Sequence, residues 1–254
     1  MKYVSSSYRG NPEGGMKLAF IGDLHIGHIS FQRAVLQQMF DIIDADRENY
    51  RILLMGDLLE TATKSSIGAG IFETNLTIEG QIERCLELFR PYADIIDGIV
   101  EGNHEARIYK MTGIDITKRI ADALGIKYLR YTGVVKYNVG NIRYMVNVWH
   151  GAGGSGTIGN SFNKCIKMAA KTVSDIYAMG HTHKLGTTSR QFTIPRTVRV
   201  EEITQHFILT GSALSYDETY PDGMNLERVT PGFPVATLSG HRRNITVALH
   251  AYNG

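Results

Sequence analysis

Nine side chains with metal-binding or acid–base chemistry fall in five short blocks of this sequence. GDLHIG, at 22–27, carries Asp23 and His25; GDLLE carries Asp57 and Glu60; GNHE carries Asn103 and His104; His150 ends YMVNVWH; GHTH carries His181 and His183. Side chains two positions apart in extended chain share a side. Asp23 with His25, and His181 with His183, can therefore each turn toward one cation. A carboxylate bridges two cations, which an imidazole cannot do, and this makes Asp57 the candidate shared ligand. Asn103 offers a carbonyl oxygen, and His104 an imidazole that titrates near neutral pH. Mixed Asp, Asn and His donors suit Mn, Fe, Co, Ni or Zn rather than calcium. Any one block is a weak signal, since Asp-x-His is common in loops, and the weight comes from context.

That context is the set of elements the blocks terminate. Of the nine histidines, His25, His104 and His150 follow short apolar runs at 17–21, 95–100 and 144–149, His181 and His183 both follow one at 176–179, and Asp57 follows a fifth at 51–55. Such runs read as internal strands. Ligands of open α/β sheets collect at the carboxyl ends of strands, so the five blocks are expected to converge in one crevice. Between the strands, Phe31, Val35, Met39 and Ile42 recur at helical spacing, as do Ile78, Ile82, Leu86 and Phe89, then Ile116, Ile120 and Leu124, then Phe162, Ile166, Ala170 and Val173. Gly125 suits the left-handed residue that closes a helix. Gly140-Asn141 between two apolar runs predicts a β-hairpin over 134–148. Past His183 the helical period stops, and 187–250 reads as strands and loops, with 217–234 a long surface connection. The polar, Ser- and Gly-rich stretch 1–15 reads as a flexible N-terminal arm ahead of a single domain at 16–254.

Bulk properties narrow the function. With 254 residues and 43% hydrophobic content the chain can bury a large core. Lys+Arg of 27 against Asp+Glu of 25 leaves a net charge of +2, too balanced for a dedicated nucleic-acid binder. A local basic tone at Arg190, Arg196, Arg199, Arg242 and Arg243 is the exception. Cys85 and Cys165 sit in helical segments without zinc-finger or disulfide spacing, as buried thiols do. No apolar run is long enough to span a bilayer and no signal-peptide pattern opens the chain, so a cytoplasmic protein without membrane contact is expected.

One rival motif competes for the chemistry. GAGGSG at Gly151–Gly156 fits a GxGxxG dinucleotide fingerprint, with Asp175 about 20 residues on. Asp175 begins its strand, however, where a ribose-binding acid ends one, and His150 already occupies the entry to the loop. The preferred reading is a glycine loop beside the metal site that contacts substrate. Arg107, on the residues after GNHE, can clamp a phosphate in a bidentate fork.

Taken in order, DLH, GDLLE, GNHE, H and GHTH resemble the calcineurin-like metallophosphoesterase superfamily over residues 17 to about 185. The resemblance implies an α/β fold, a four-layered sandwich of two mixed sheets flanked by helices. It implies two divalent transition-metal ions, manganese foremost, one held by Asp23, His25, Asp57 and His183, the other by Asp57, Asn103, His150 and His181. A metal-bridged hydroxide is then expected to attack phosphorus, with His104 giving a proton to the leaving oxygen and Glu60 orienting His104. Protein phosphatases of this superfamily carry Asp-Arg-Gly after the second block; here Thr61 and Ala62 follow Glu60. A phosphodiesterase is therefore expected, with a nuclease or a phosphomonoesterase as alternatives, nucleotides or nucleic acid as candidate substrates, and a homo-oligomer compatible with the sequence. Thr210–Ser212 resembles a small-residue turn found late in such chains.

Overall fold

The computed structural model describes residues 1–7, 15–63, 66, 70–195, 197, 200–215 and 228–252. Its strands are β1 (Lys2–Ser7), β2 (Met16–Ile21), β3 (Tyr50–Leu54), β4 (Ile96–Val100), β5 (Tyr128–Arg130), β6 (Thr132–Val139), β7 (Ile142–Trp149), β8 (Ile176–Met179), β9 (Leu185–Pro195), β10 (Val200–Thr210), β11 (Gly232–Leu238) and β12 (Ile245–Ala251). The helices are α1 (Arg33–Asp44), α2 (Ile78–Phe89), α3 (Asn103–Thr112), α4 (Ile116–Leu124) and α5 (Ile158–Lys167). Two mixed six-stranded sheets form, in the orders β1-β6-β7-β8-β10-β9 and β12-β11-β2-β3-β4-β5.

The apolar runs on β2, β3, β8 and β10 explain the layering, because successive side chains face opposite sides of a strand. On β2, Leu18 and Phe20 point to the space between the sheets, where they meet Leu53, Val146 and Ile208. Ala19 and Ile21 point the other way, onto Val35, Leu36 and Met39 of α1 and Ile82 and Cys85 of α2. On the far side, Tyr177 and Phe207 pack on Cys165 of α5. The sequence of layers is thus α5, sheet, sheet, and α1, α2 and α4, the four-layered sandwich expected. Burial on both faces is what parallel strands such as β2, β3 and β4 require.

Local chemistry sets the helix limits. Thr77, Asp115 and Thr157 cap α2, α4 and α5, each side chain accepting a backbone N–H of the first turn. Gly125 closes α4 in the left-handed conformation, as its position suggested. Both cysteines are free and buried; burial pushes the Cys85 thiol up and the Cys165 thiol up to about 12. No helix among the described residues is long and apolar enough to cross a membrane. Where strands begin, charges are paired: Lys17 with Asp46 at 2.7 Å, Arg51 with Asp97, and Arg243 with Asp175.

Four expectations need correction. Residues 2–7 are no flexible arm: β1 runs parallel to β6, from Lys2 opposite Gly133 to Ser7 opposite Asn138, while 8–14 lie outside the described residues. GNHE does more than end a strand, since α3 opens at Asn103 itself. Residues 232–234 belong to β11, with Phe233 fully buried, rather than to a surface connection whose residues 217–227 lie outside the described set. Val173 is 74% exposed and leaves the core stripe that Phe162 and Ile166 maintain.

Candidate metal centre

The ends of β2, β3, β4, β7 and β8 deliver all five blocks to one place, drawing on both sheets. The turns after β2 and β3 brace each other, Asp23 N donating to Gly56 O at 2.9 Å and His25 N to Asp57 O at 3.1 Å. Asp23, His25, Asp57, His181 and His183 all adopt positive φ, between +47° and +68°. Non-glycine residues seldom do so, at a cost on the order of 1–3 kcal/mol each, and such strain clusters where side chains must be aimed. Two of the block glycines are close-approach residues. A Cβ on Gly102 would lie 2.1 Å from Asp57 N, and one on Gly180 would lie 2.6 Å from Asp23 Oδ2.

Three groups of donor atoms result among the described residues, each within 4.8 Å: Asp23, His25 and His183; Asp57, His150 and His181; and His25, Glu60 and His104, of which the first two hold expected ligands alone. In the first, His25 Nε2 and His183 Nε2 stand 3.1 Å apart, and His183 Nε2 lies 3.5 Å from Asp23 Oδ1. In the second, His150 Nε2 lies 3.1 Å from Asp57 Oδ2 and 3.0 Å from Asn103 Oδ1. Asp57 also accepts the His104 N–H on Oδ1 at 2.8 Å, and Asp23 accepts the His181 N–H at 3.0 Å.

The hydrogen bonds on the far side of each ring decide what these groups can hold. His25 Nδ1 lies 2.9 Å from Glu60 Oε2, and His150 Nδ1 lies 2.7 Å from Met55 O. Both partners are acceptors, so both Nδ1 atoms donate, and a neutral ring then turns a bare lone pair on Nε2 inward. With both rings neutral, nitrogen lone pairs, carboxylate oxygens and an amide oxygen thus face one another. His181 Nδ1 is buried without a partner. Buried acceptors facing acceptors are unfavourable unless a cation sits among them, and the donor set is that of borderline divalent metals.

In the chain alone, protons take part of that role. Burial opposes charge on His150, yet the Asp57 carboxylate overcomes it and raises the imidazole to about 10. His104 follows the same balance, with Asp57 and Glu60 lifting it to about 9. Burial pushes the Asp23 carboxyl up to about 8. Burial and the neighbouring His150 depress His181 to about 4.

The remaining expected residues lie around this cluster. His104, partly open, turns Nδ1 to Glu60 O at 2.8 Å and keeps Nε2 3.9 Å from Asp57 Oδ2. Glu60 does touch His104, at 3.4 Å, but its shorter carboxylate contact is the one to His25. Arg107 gives Nη1 to Ser66 Oγ at 2.6 Å on α3. The dinucleotide alternative loses its acid: Asp175 sits at the start of β8 and is taken by Arg243 and the Met145 N–H. The glycine loop itself folds around Lys164, whose Nζ reaches the carbonyls of Ala152, Gly153 and Gly154 at 3.1, 2.5 and 2.6 Å. Of the basic residues past His183, Arg190 is bound to Gln205 and Arg243 to Asp175, while Arg196 and Arg199 lie outside the described residues. Glu105 was missed. Its fully buried carboxylate accepts Asp57 N at 3.1 Å and Leu59 N at 2.9 Å, bracing the turn that carries the shared ligand. Its place directly after Asn-His was the available signal.

The match to a protein family agrees with this chemistry. Residues 16–163 match the calcineurin-like phosphoesterase family. A solved structure of a predicted phosphoesterase from Streptococcus pneumoniae TIGR4 is 12% identical, with 94% of each chain covered and a TM-score of 0.43. A candidate diadenosine tetraphosphatase of known structure is also 12% identical, covering 100% of this chain and 99% of its own, with a TM-score of 0.38. No curated protein sequence matches the chain. With its family matched over more than half its length, the chain belongs to the calcineurin-like phosphoesterases and is a metal-dependent phosphoester hydrolase.

Proposed function

We propose that the chain is a manganese-dependent, dinuclear phosphodiesterase. One cation is assigned to Asp23, His25, Asp57 and His183, the other to Asp57, Asn103, His150 and His181. The observation that carries this reading is the pair of inward-facing acceptor groups, with Asp57 beside His150 and His181 Nδ1 buried without a partner. When bound, two such cations supply Lewis acidity toward phosphoryl oxygens and a water acidic enough to attack phosphorus near neutral pH.

The chain's own residues do the rest. Because Nδ1 of His104 is committed to Glu60 O, the proton available to substrate is the one on Nε2, 3.9 Å from Asp57 Oδ2. It is assigned to the leaving oxygen as general acid. Arg107 spends one donor on Ser66 and retains others for a non-bridging phosphate oxygen. Thr61 stands where protein phosphatases of the family carry arginine, and it is fully buried. A monoester dianion therefore meets one fixed cation fewer here, which favours a singly charged diester. Nucleotides and nucleic acid are the natural diesters, and a cytoplasmic location is part of the same proposal.

The test is a hydrolysis panel with added manganese, comparing bis-p-nitrophenyl phosphate, p-nitrophenyl phosphate, cyclic nucleotides, single- and double-stranded DNA and a phosphoserine peptide. Diesters should turn over, the peptide should not, and metal analysis should approach two ions per chain. Efficient peptide dephosphorylation without diesterase activity, or at most one ion bound, contradicts the proposal. Strong DNA cleavage that weakens steeply with salt points to a nuclease instead.

A further inference from the structure

Gln81 lies on α2, outside every sequence block, and is 1% exposed. Both ends of its amide are used: Oε1 accepts the Thr61 N–H at 2.9 Å, and Nε2 donates to Leu76 O at 3.1 Å. Its stem fills the space left by Gly27 of the first block, where an added Cβ would come within 2.6 Å of Cγ and Cδ. Thr61, next to Glu60 of the second block, is buried at φ +45°. A β-branched residue holds that conformation only when its surroundings over-determine it. Two bonds do so. Gln81 takes its N–H, and its own Oγ1 donates to His104 O at 2.6 Å. His104 Nδ1 meanwhile donates to Glu60 O. Residues 60 and 61 thus hold both the ring and the backbone of His104, and Gln81 holds residue 61 against the first block.

We propose that Gln81, acting through Thr61, is a positioning residue for His104: it fixes where the imidazole Nε2 meets the leaving oxygen. This rests on the reading of His104 as the general acid. The amide hydrogen bonds of Gln81 go to Thr61 and Leu76 and not to the seven assigned ligands, so its loss should spare metal binding while degrading proton transfer. Small displacements of a catalytic group are costly, because the reaction depends on near-attack geometry.

The experiment compares the full chain with Gln81→Met, Thr61→Val, the double variant and His104→Ala, on manganese-loaded protein. Each is assayed on one diester losing an alkoxide and one losing nitrophenolate. In Gln81→Met and in Thr61→Val, kcat for the alkoxide substrate should fall about tenfold, and for the nitrophenyl substrate less than about twofold, with KM and manganese stoichiometry unchanged. The double variant should lose no more than the worse single variant, since both break one chain of contacts. Gln81→Glu, which keeps the acceptor for Thr61 N–H, should retain more of the alkoxide activity than Gln81→Met. Equal losses on both substrates, loss of manganese, or additive losses in the double variant overturn the inference. If Gln81→Met does not fold, Thr61→Val decides, and the absence of leaving-group dependence there overturns it. Leaving-group dependence in His104→Ala but not in these variants overturns this inference alone. Its absence in His104→Ala removes the acid assignment, and this inference with it.

Discussion

The two ends of the same strands are built on opposite electrostatic plans. At the starting end, Arg51 and Asp97 pair across β3 and β4, with Ser6 Oγ adding a 3.0 Å bond to the same carboxylate, and Lys17 meets Asp46. Charges there cancel within the chain. At the finishing end, His25 Nε2 faces His183 Nε2, and His150 Nε2 faces Asp57 and Asn103, on a backbone bent to positive φ. The starting end is complete without help, whereas the finishing end is completed by a bound cation. The comparison shows which part of the protein holds the fold and which part a ligand must finish.

The largest effect expected at the finishing end comes from Asp57→Asn, which removes the charge assigned to both cations. Metal analysis after dialysis should show both ions lost, with diester turnover undetectable. The same variant should erase the gap in melting temperature between manganese-loaded and chelated protein. That gap reflects about 2.7 kcal/mol for each ion when free metal is a hundredfold above its Kd. Next is His104→Ala, which should keep two ions and lose about 10² to 10⁴ in kcat on alkoxide leaving groups. Glu60→Gln weakens the carboxylate behind His25, so a manganese titration should show affinity reduced about 10- to 100-fold, with activity recovering at high metal. The comparison is sharpened from the other end by Arg51→Met, which leaves the buried Asp97 carboxylate without its guanidinium. Denaturant unfolding should register a loss of about 2–3 kcal/mol, while kcat per folded molecule stays unchanged. A kcat that falls with Arg51→Met would show that the two ends are coupled after all.

The features legible in the sequence were those with a strong local signature. The helical stripes on α1, α2 and α4, the Gly140-Asn141 hairpin and the five strand-ending blocks each depend on a few neighbouring residues. What escaped depends on partners far along the chain. KYVSSS has no apolar run, and β1 exists because β6, more than a hundred residues later, offers it a parallel edge. α3 hides because only Glu105 and Ile108 of its residues are buried, too few to show a period. Glu60 was linked to His104 through the third block, but its distance to His25 is set by how the turns after β2 and β3 interlock. Gln81 is one polar residue on an ordinary amphipathic helix, and only the tertiary structure shows what its amide reaches.

Cys85 and Cys165 lie beneath different outer layers, one under α2 against the second sheet and one under α5 against the first. Alkylating reagents act on exposed thiolate, and both groups are buried with their ionisation suppressed. Each therefore records a distinct opening event. Pulse alkylation followed by peptide mapping would time the detachment of α2 and of α5 separately, with no label to install. Run with and without manganese, it would tell which flank of the sandwich breathes with the metal centre and which ignores it.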